Sequence, residues 1–273
     1  MAEEEFKAKP VLVVPILGSL VISVVCGVLF LKSEVQLASV MLPETGAGPW
    51  ANAVIFVLAS GLGATMIYVL LKRGVLRFLR FLMGAAFSVL TFSLSLLYSE
   101  LFLEIVGFEV PAVAVLALAS VVTVFAVAEI VRRGKFYEVI VLVFGGATGS
   151  LLGASIPVLS AVLILLLLAV YDVVAVFRGP VGKIASKGLE HLPGASFTFR
   201  NVHVGLGDLT FYSMLVTRML LSFGWQACVA ATLGVLAGAY LSMKMVERKG
   251  IFPGLPFSVL LGLLAGLIIF AWM

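Results

Sequence analysis

Long apolar segments separated by short connections dominate this chain of 273 residues. Hydrophobic residues make up 62% of the chain and charged residues only 12%, whereas a soluble domain has about 25% charged residues. A helix needs about 20 apolar residues to cross a bilayer, so the pattern predicts an all-α polytopic membrane protein. Nine transmembrane helices are predicted, at Pro10–Leu31, Trp50–Leu71, Phe81–Leu103, Pro111–Val131, Val139–Leu152, Ile156–Phe177, Gly205–Phe223, Trp225–Met243 and Pro256–Met273.

One polar connection, residues 178–204, interrupts this pattern and suggests a division of the chain into three parts. Residues 1–177 would form an N-terminal part of six helices, and residues 205–273 a C-terminal part of three helices. The first segment lacks the basic region and the cleavage site of a signal peptide, so we expect the first helix to be retained. The other connections are short and leave no room for a soluble domain.

The basic residues are distributed very unevenly between the two sides of the predicted membrane. Only Lys32 and Arg218, of the 18 lysines and arginines, fall on the side opposite to the N-terminus. By the positive-inside rule, the N-terminus lies in the cytoplasm and the C-terminus outside, in a multi-pass protein of the cell membrane. The basic residues are spread over loops, so they predict topology and give no indication of nucleic-acid binding.

Asp172 and Asp208 are the only aspartates of the chain, and both fall within predicted transmembrane segments. A carboxylate at the centre of such a helix costs roughly 2.5–3.5 kcal/mol on insertion scales, so intramembrane acids usually have a function. Asp172 lies about 9 Å from the cytoplasmic end of its helix, at 1.5 Å per residue, and Asp208 is at a similar depth. Adjacent antiparallel helices would therefore bring the carboxyls together; alternatively, each lies at a helix end and reaches interfacial water.

A facing pair of aspartates can hydrolyse a peptide bond. Two close carboxylates do not both ionise cheaply, so they share one proton. One carboxylate then removes a proton from water, and the protonated partner donates to the carbonyl oxygen. The same two residues would also suit a proton-coupled transporter or a cation leak channel, in which they form a relay.

Other catalytic and metal-binding patterns are missing from the sequence. His191 and His203 are 12 residues apart and belong to no HExxH motif, and Cys26 and Cys228 fall within apolar segments, where small buried thiols are common. We therefore expect no metal and no cofactor. Prepilin peptidases share a GxGD motif but would place the partner aspartate early in the chain, and no aspartate precedes Asp172.

Three short segments resemble motifs of one protease family. Tyr171–Val176 (YDVVAV), followed by Gly179 and Pro180, is similar to the sixth-span motif of presenilins. Gly205–Val216 (GLGDLTFYSMLV) is similar to their seventh-span motif, and Pro253–Pro256 (PGLP) resembles their PAL motif. Together they resemble the presenilin and signal-peptide-peptidase family of intramembrane aspartyl proteases, and most closely its compact archaeal presenilin homologues.

The resemblance implies a presenilin-like fold and a role for each matching residue. Asp172 and Asp208 would be the catalytic pair, supported by the neighbouring Tyr171. The residues that would shape the site are Gly205, Leu206 and Gly207 around Asp208, and Pro253, Gly254, Leu255 and Pro256 near both aspartates. Leu206 would line the substrate face. Gly254 departs from the family, which usually has alanine, and we expect it to loosen the loop without abolishing activity.

The polar connection contains two further candidate elements. Short alternating apolar runs in residues 196–204 suit an extended segment that could pair with an unwound substrate through Phe199, Val202 and Val204; an ordinary amphipathic surface loop fits equally well. Lys183–Leu192 suits a short interfacial helix.

The sequence thus predicts an intramembrane aspartyl endopeptidase that cleaves transmembrane segments or remnant signal peptides. Its partners would be transmembrane peptides and the lipid bilayer. The compactness of the chain favours activity without partner subunits, by analogy with compact members of the family. The cytoplasmic position of residues 178–204 matches presenilins, since signal peptide peptidases have the opposite orientation.

Overall fold

A computed structural model describes residues 7–33, 35, 37, 41–177, 194, 196–199, 202–249 and 252–272. A short 3-10 turn, Pro10–Val13, precedes the first helix. The helices are α1 (Val14–Lys32), α2 (Gly48–Lys72), α3 (Leu76–Val106), α4 (Ala112–Arg132), α5 (Tyr137–Ser155), α6 (Val158–Phe177), α7 (Leu206–Lys249) and α8 (Leu255–Ala271). Two short strands, β1 (Ser196–Phe199) and β2 (Val202–Gly205), form an antiparallel hairpin between α6 and α7.

Seven helices of the described chain are long and apolar enough to cross a membrane, namely α1 to α7. The boundary between the fifth and sixth helices, predicted at residues 153–155, lies slightly later, at Ile156, which has an extended backbone and ends α5. Helix α7 is interrupted at Gly224, whose φ of 84° is left-handed and therefore suits glycine. This interruption falls between the predicted seventh and eighth helices. The prediction of nine membrane-spanning helices stays a prediction, because α8 has only 17 residues.

Helix α7 lies at the centre of the bundle and packs against α1, α5 and α8. Hydroxyl groups join α1 to α7: the Ser23 hydroxyl donates to the Ser213 carbonyl at 2.9 Å and lies 2.6 Å from the Thr217 hydroxyl. In a membrane, apolar helices gain little from leaving lipid, so close packing and such hydrogen bonds carry helix association. The first half of α7 is thereby held firmly in the bundle.

Glycines at every fourth position of α5 form the surface against which α7 packs, which we call the glycine seat. A Cβ atom on Gly145 would lie 2.8 Å from the Leu209 Cβ, and one on Gly153 would lie 2.7 Å from the Met214 carbonyl oxygen. At Gly149, between them, a Cβ would overlap the carbonyl oxygen of Thr210. The two backbones approach too closely for any side chain, so α5 positions the helix that carries Asp208.

Candidate active site

Asp172 and Asp208 approach each other from two neighbouring elements on one side of the bundle. Asp172 lies in the last two turns of α6, and Asp208 is the third residue of α7. Both residues are partly buried, and their carboxyls are close enough to interact electrostatically. The two residues therefore lie near each other, and their action as a facing catalytic pair stays a prediction.

The N-terminus of α8 points at Asp172. The backbone N–H of Leu255, the first residue of α8, donates to Asp172 Oδ2 at 3.1 Å, and the Gly254 N–H also interacts with this carboxylate. The first N–H groups of a helix lack partners within the helix, and the N-terminal end of the helix dipole attracts negative charge. The Asp172 carboxylate thus accepts from an N–H group that has no partner within α8, and the N-terminus of α8 favours an acceptor oxygen at this position.

Gly254 brings the same loop against Asp208. A Cβ atom on this glycine would lie 2.8 Å from Asp208 Oδ2 and 3.3 Å from the Tyr212 hydroxyl. The Gly254 carbonyl accepts a hydrogen bond from the Tyr212 hydroxyl at 2.9 Å. Hence Pro253–Pro256 touches both carboxyls. Gly254 has helical dihedrals and its carbonyl accepts several hydrogen bonds; the expected loosening of the loop by glycine stays a prediction.

The remaining predicted shaping residues lie around this centre. The Tyr171 ring packs beside Gly61 of α2, and Gly205, at the end of β2, lies next to the Asp208 carboxylate. Gly207 is exposed, with Phe211 as its nearest neighbour. Leu206 directs its side chain to Gly145 of α5. This contact belongs to the α5–α7 interface, and the role of Leu206 on the substrate face stays a prediction.

The predicted extended segment forms the hairpin β1–β2, which leads directly into α7. Phe197 pairs with Val204, and both side chains are buried in the core. Phe199 is partly buried and pairs with Val202 across the hairpin. The Tyr137 hydroxyl at the start of α5 donates to the Ser196 carbonyl at 2.8 Å, which anchors β1. This outcome favours the extended segment over the amphipathic loop.

Other predicted features lie outside the site. Arg218, predicted to lie on the side opposite to the N-terminus, donates to the Ile156 carbonyl at 3.0 Å and interacts with Glu44, which is predicted on the same side. The predicted interfacial helix Lys183–Leu192, which includes His191, lies outside the described residues. Within the described ranges, no group of three His, Cys, Asp or Glu side chains is arranged to hold a metal ion.

Sequence reasoning missed three hydroxyl residues around Gly254. Tyr212, Ser242 and Ser258 all donate to its carbonyl oxygen. Only Tyr212 had a detectable signal, because it follows Asp208 by four residues and therefore shares its helix face. Ser242 reaches the site from beyond the interruption at Gly224, which sequence spacing does not reveal.

Comparison with known sequences links the C-terminal part to one family. Residues 182–271 match the family model described as presenilin, a range that contains Asp208 and begins ten residues after Asp172. Presenilin-B from Dictyostelium discoideum is 32% identical over 113 residues, which cover 37% of this chain and 24% of that protein. The chain thus spans about a quarter of the length of this curated relative.

Comparison with solved structures extends the likeness to the whole fold. A presenilin family intramembrane aspartate protease solved in space group C222 superposes with a TM-score of 0.69 at 22% identity, covering 96% of this chain and 99% of that one. A structure of a presenilin family intramembrane aspartate protease in space group P2 gives a TM-score of 0.66 at 22% identity over 94% and 96% of the two chains. Residues 182–271 are therefore similar in sequence to presenilins, and the fold of the chain is similar to that of presenilin family structures.

Proposed function

We propose that this protein is an intramembrane aspartyl endopeptidase that hydrolyses peptide bonds within transmembrane segments or remnant signal peptides. The observation that carries the proposal is the convergence of its only two aspartates, Asp172 and Asp208, beside the N-terminus of α8. A pair of carboxyls held on two membrane helices has the groups that acid–base hydrolysis requires. The fold and the C-terminal sequence, both presenilin-like, support the same activity.

The direction of one hydrogen bond supports an assignment of roles. The Leu255 N–H can only donate, and a hydrogen bond of this kind is stronger to an ionised carboxylate than to a protonated one, so it favours the unprotonated form of Asp172. We therefore assign Asp172 as the group that accepts a proton from water, and Asp208 as the group that carries the shared proton.

Hydrolysis then needs no group beyond the two carboxyls and one water molecule. Asp172 takes a proton as the water oxygen bonds to the carbonyl carbon, and Asp208 donates its proton to the carbonyl oxygen. The resulting diol collapses when Asp172 returns a proton to the amide nitrogen and the C–N bond breaks. Asp208 recovers its proton from a diol hydroxyl, so the pair ends as it began.

The hairpin offers a way to present an unwound substrate. In the described chain, β2 pairs on one side only, with β1. Tyr137 occupies the start of β1, which leaves β2 as the edge for an added strand. We propose that the substrate pairs along Val202–Gly205, immediately before Asp208, and that Phe199, Val202 and Val204 shape this edge.

The proposed setting follows from the charge distribution. We place the protein in the cell membrane with its N-terminus and residues 178–204 in the cytoplasm, because nearly all basic residues lie on that side. Both aspartates would then be in the cytoplasmic third of the bilayer. The protein would work on transmembrane peptides without partner subunits.

Cleavage by the purified protein tests the function. A set of transmembrane peptides is incubated with wild type, Asp172→Asn and Asp208→Asn, and the products are identified by mass spectrometry. Wild type should cleave within the apolar segment, and each variant should be inactive while keeping its melting temperature. Near-normal cleavage by either variant would contradict the proposal. Proton flux in liposomes without any cleavage would support the transporter or leak channel.

A further inference from the structure

The peptide unit between Gly254 and Leu255 connects the two sides of the site. Its N–H, from Leu255, donates to Asp172 Oδ2 at 3.1 Å. Its carbonyl oxygen, from Gly254, accepts from the Tyr212 hydroxyl at 2.9 Å. A peptide unit is planar, and in the trans form its C=O and N–H point in opposite directions. Whatever holds the carbonyl in place therefore also sets the direction in which the N–H points.

Three hydroxyl groups of the described chain hold this carbonyl. Besides Tyr212, the Ser258 hydroxyl donates at 3.2 Å and the Ser242 hydroxyl at 3.3 Å. The three side chains are 2%, 0% and 5% exposed, in the order Tyr212, Ser258 and Ser242. A carbonyl oxygen has two lone pairs, so three donors exceed what is needed to satisfy it. Mere satisfaction of a buried acceptor does not account for this arrangement.

The donors come from three separate places in the fold. Tyr212 lies one helical turn beyond Asp208, Ser242 lies in α7 beyond the interruption at Gly224, and Ser258 lies in the first turn of α8. The Ser258 bond is local to α8, four residues from its acceptor, whereas Tyr212 acts over 42 residues of sequence. The long-range bonds tie α8 to both halves of α7, and so to the segment that carries Asp208.

We propose that Tyr212 and Ser242, assisted by Ser258, are positioning residues that aim the Leu255 N–H at Asp172. Tyr212 has the largest effect because it shares a helix face with Asp208 and so sets the two carboxyls relative to each other. The inference rests on the proposed function. It adds residues that act through the Gly254–Leu255 peptide and do not touch the substrate.

The test compares kinetic constants of hydroxyl-deletion variants on a transmembrane peptide. Tyr212→Phe should lower kcat on the order of tenfold, because one hydrogen bond of the aiming network is lost. KM should stay within about twofold, because substrate binding does not use these hydroxyls. Ser242→Ala should show a smaller fall in kcat, and Ser242→Thr, which keeps a hydroxyl, should recover most of it.

A matched control separates positioning from general stability. Tyr98→Phe also deletes a tyrosine hydroxyl that donates to a backbone carbonyl, that of Ala147 at 2.7 Å, in the α3–α5 interface. It should keep the wild-type kcat even if its melting temperature falls. If Tyr98→Phe and Tyr212→Phe lower kcat equally at equal loss of stability, the inference is overturned.

The outcomes for the two proposals are distinguishable. If wild type cleaves and both Asp→Asn variants are inactive, the proposed function stands; Tyr212→Phe with wild-type kcat then overturns only the positioning role. If wild type does not cleave, the proposed function fails first. Should Tyr212→Phe not fold, the pair Ser242→Ala and Ser242→Thr decides: equal kcat in the two variants overturns the inference, and recovery by threonine supports it.

Discussion

A methyl group added at Gly254 should displace the carboxylate of Asp208. The Cβ of Gly254→Ala would lie 2.8 Å from Asp208 Oδ2 and 3.2 Å from its Cγ, whereas ordinary contact begins at 3.4 Å. The carboxylate would have to retreat by about 0.6 Å, the difference between these two distances. Such a movement is cheap for the fold, because the displaced atoms are the end of a flexible side chain.

The same movement is expensive for catalysis. A misplacement of 1 Å in an active site can cost about 100-fold in rate, so about half that distance should cost on the order of tenfold. We expect Gly254→Ala to lower kcat roughly tenfold on a transmembrane peptide, with a melting temperature close to that of wild type. The family that the chain resembles usually has alanine at this position. The expected loss of activity therefore reflects the packing of Gly254 against Asp208 in this chain.

A glycine in open space provides the control for this prediction. Gly63 in α2 is exposed and has no atom within 4 Å of an added Cβ, and alanine is favoured over glycine inside a helix. Gly63→Ala should therefore keep kcat and unfold at the same or a higher temperature. If Gly254→Ala retains kcat within about twofold of wild type, the close approach of Gly254 to Asp208 has no catalytic consequence and the reasoning is refuted.

Three further predictions concern the supports of the site. Gly149→Ala places a methyl group against the Thr210 carbonyl. It should lower the free energy of unfolding by about 1–3 kcal/mol, measured by thermal unfolding, and reduce cleavage. An unchanged melting temperature would contradict the close packing of α5 against α7. Ser23→Ala removes hydroxyl contacts to α7 and should cost about 0.6 kcal/mol in unfolding, with kcat unchanged. Tyr137→Phe removes the hydrogen bond that anchors the start of β1. It should lower kcat/KM by roughly fivefold, the effect of losing one hydrogen bond, and mainly by raising KM. A change confined to kcat would contradict the role of the hairpin in presenting substrate.

The candidate site residues could be found from the sequence because they depart from the pattern around them. Asp172 and Asp208 stand out against apolar surroundings, and the alternation in residues 196–204 correctly indicated strands. Helices and strands of this kind follow from the pattern of neighbouring residues, which the periodicity of apolar residues describes well. The predicted and the observed helices differ mainly at their ends, as at Ile156, where an extended residue before Pro157 ends α5.

The contacts that unite the site could not be found in this way. The Gly254 carbonyl meets Tyr212 across 42 residues, and Ser242 across 12. Leu206 faces α5 because of the glycines there, so its orientation depends on a partner helix distant in sequence. Serines and tyrosines are common in membrane helices, and only the packing of α7 against α8 shows which of them share an acceptor.

The glycine seat on α5 also determines how deep Asp208 lies in the bilayer. Because Gly145, Gly149 and Gly153 each admit one segment of the α7 backbone, α7 has a single translational register on α5, and a slip by one turn would move it about 5.4 Å. Asp208 is therefore held at one height in the bilayer, measured from the start of α5 at Tyr137. Under the proposed function, the bond that is cut in a substrate should accordingly lie at a constant distance from the membrane surface, whatever the substrate's sequence.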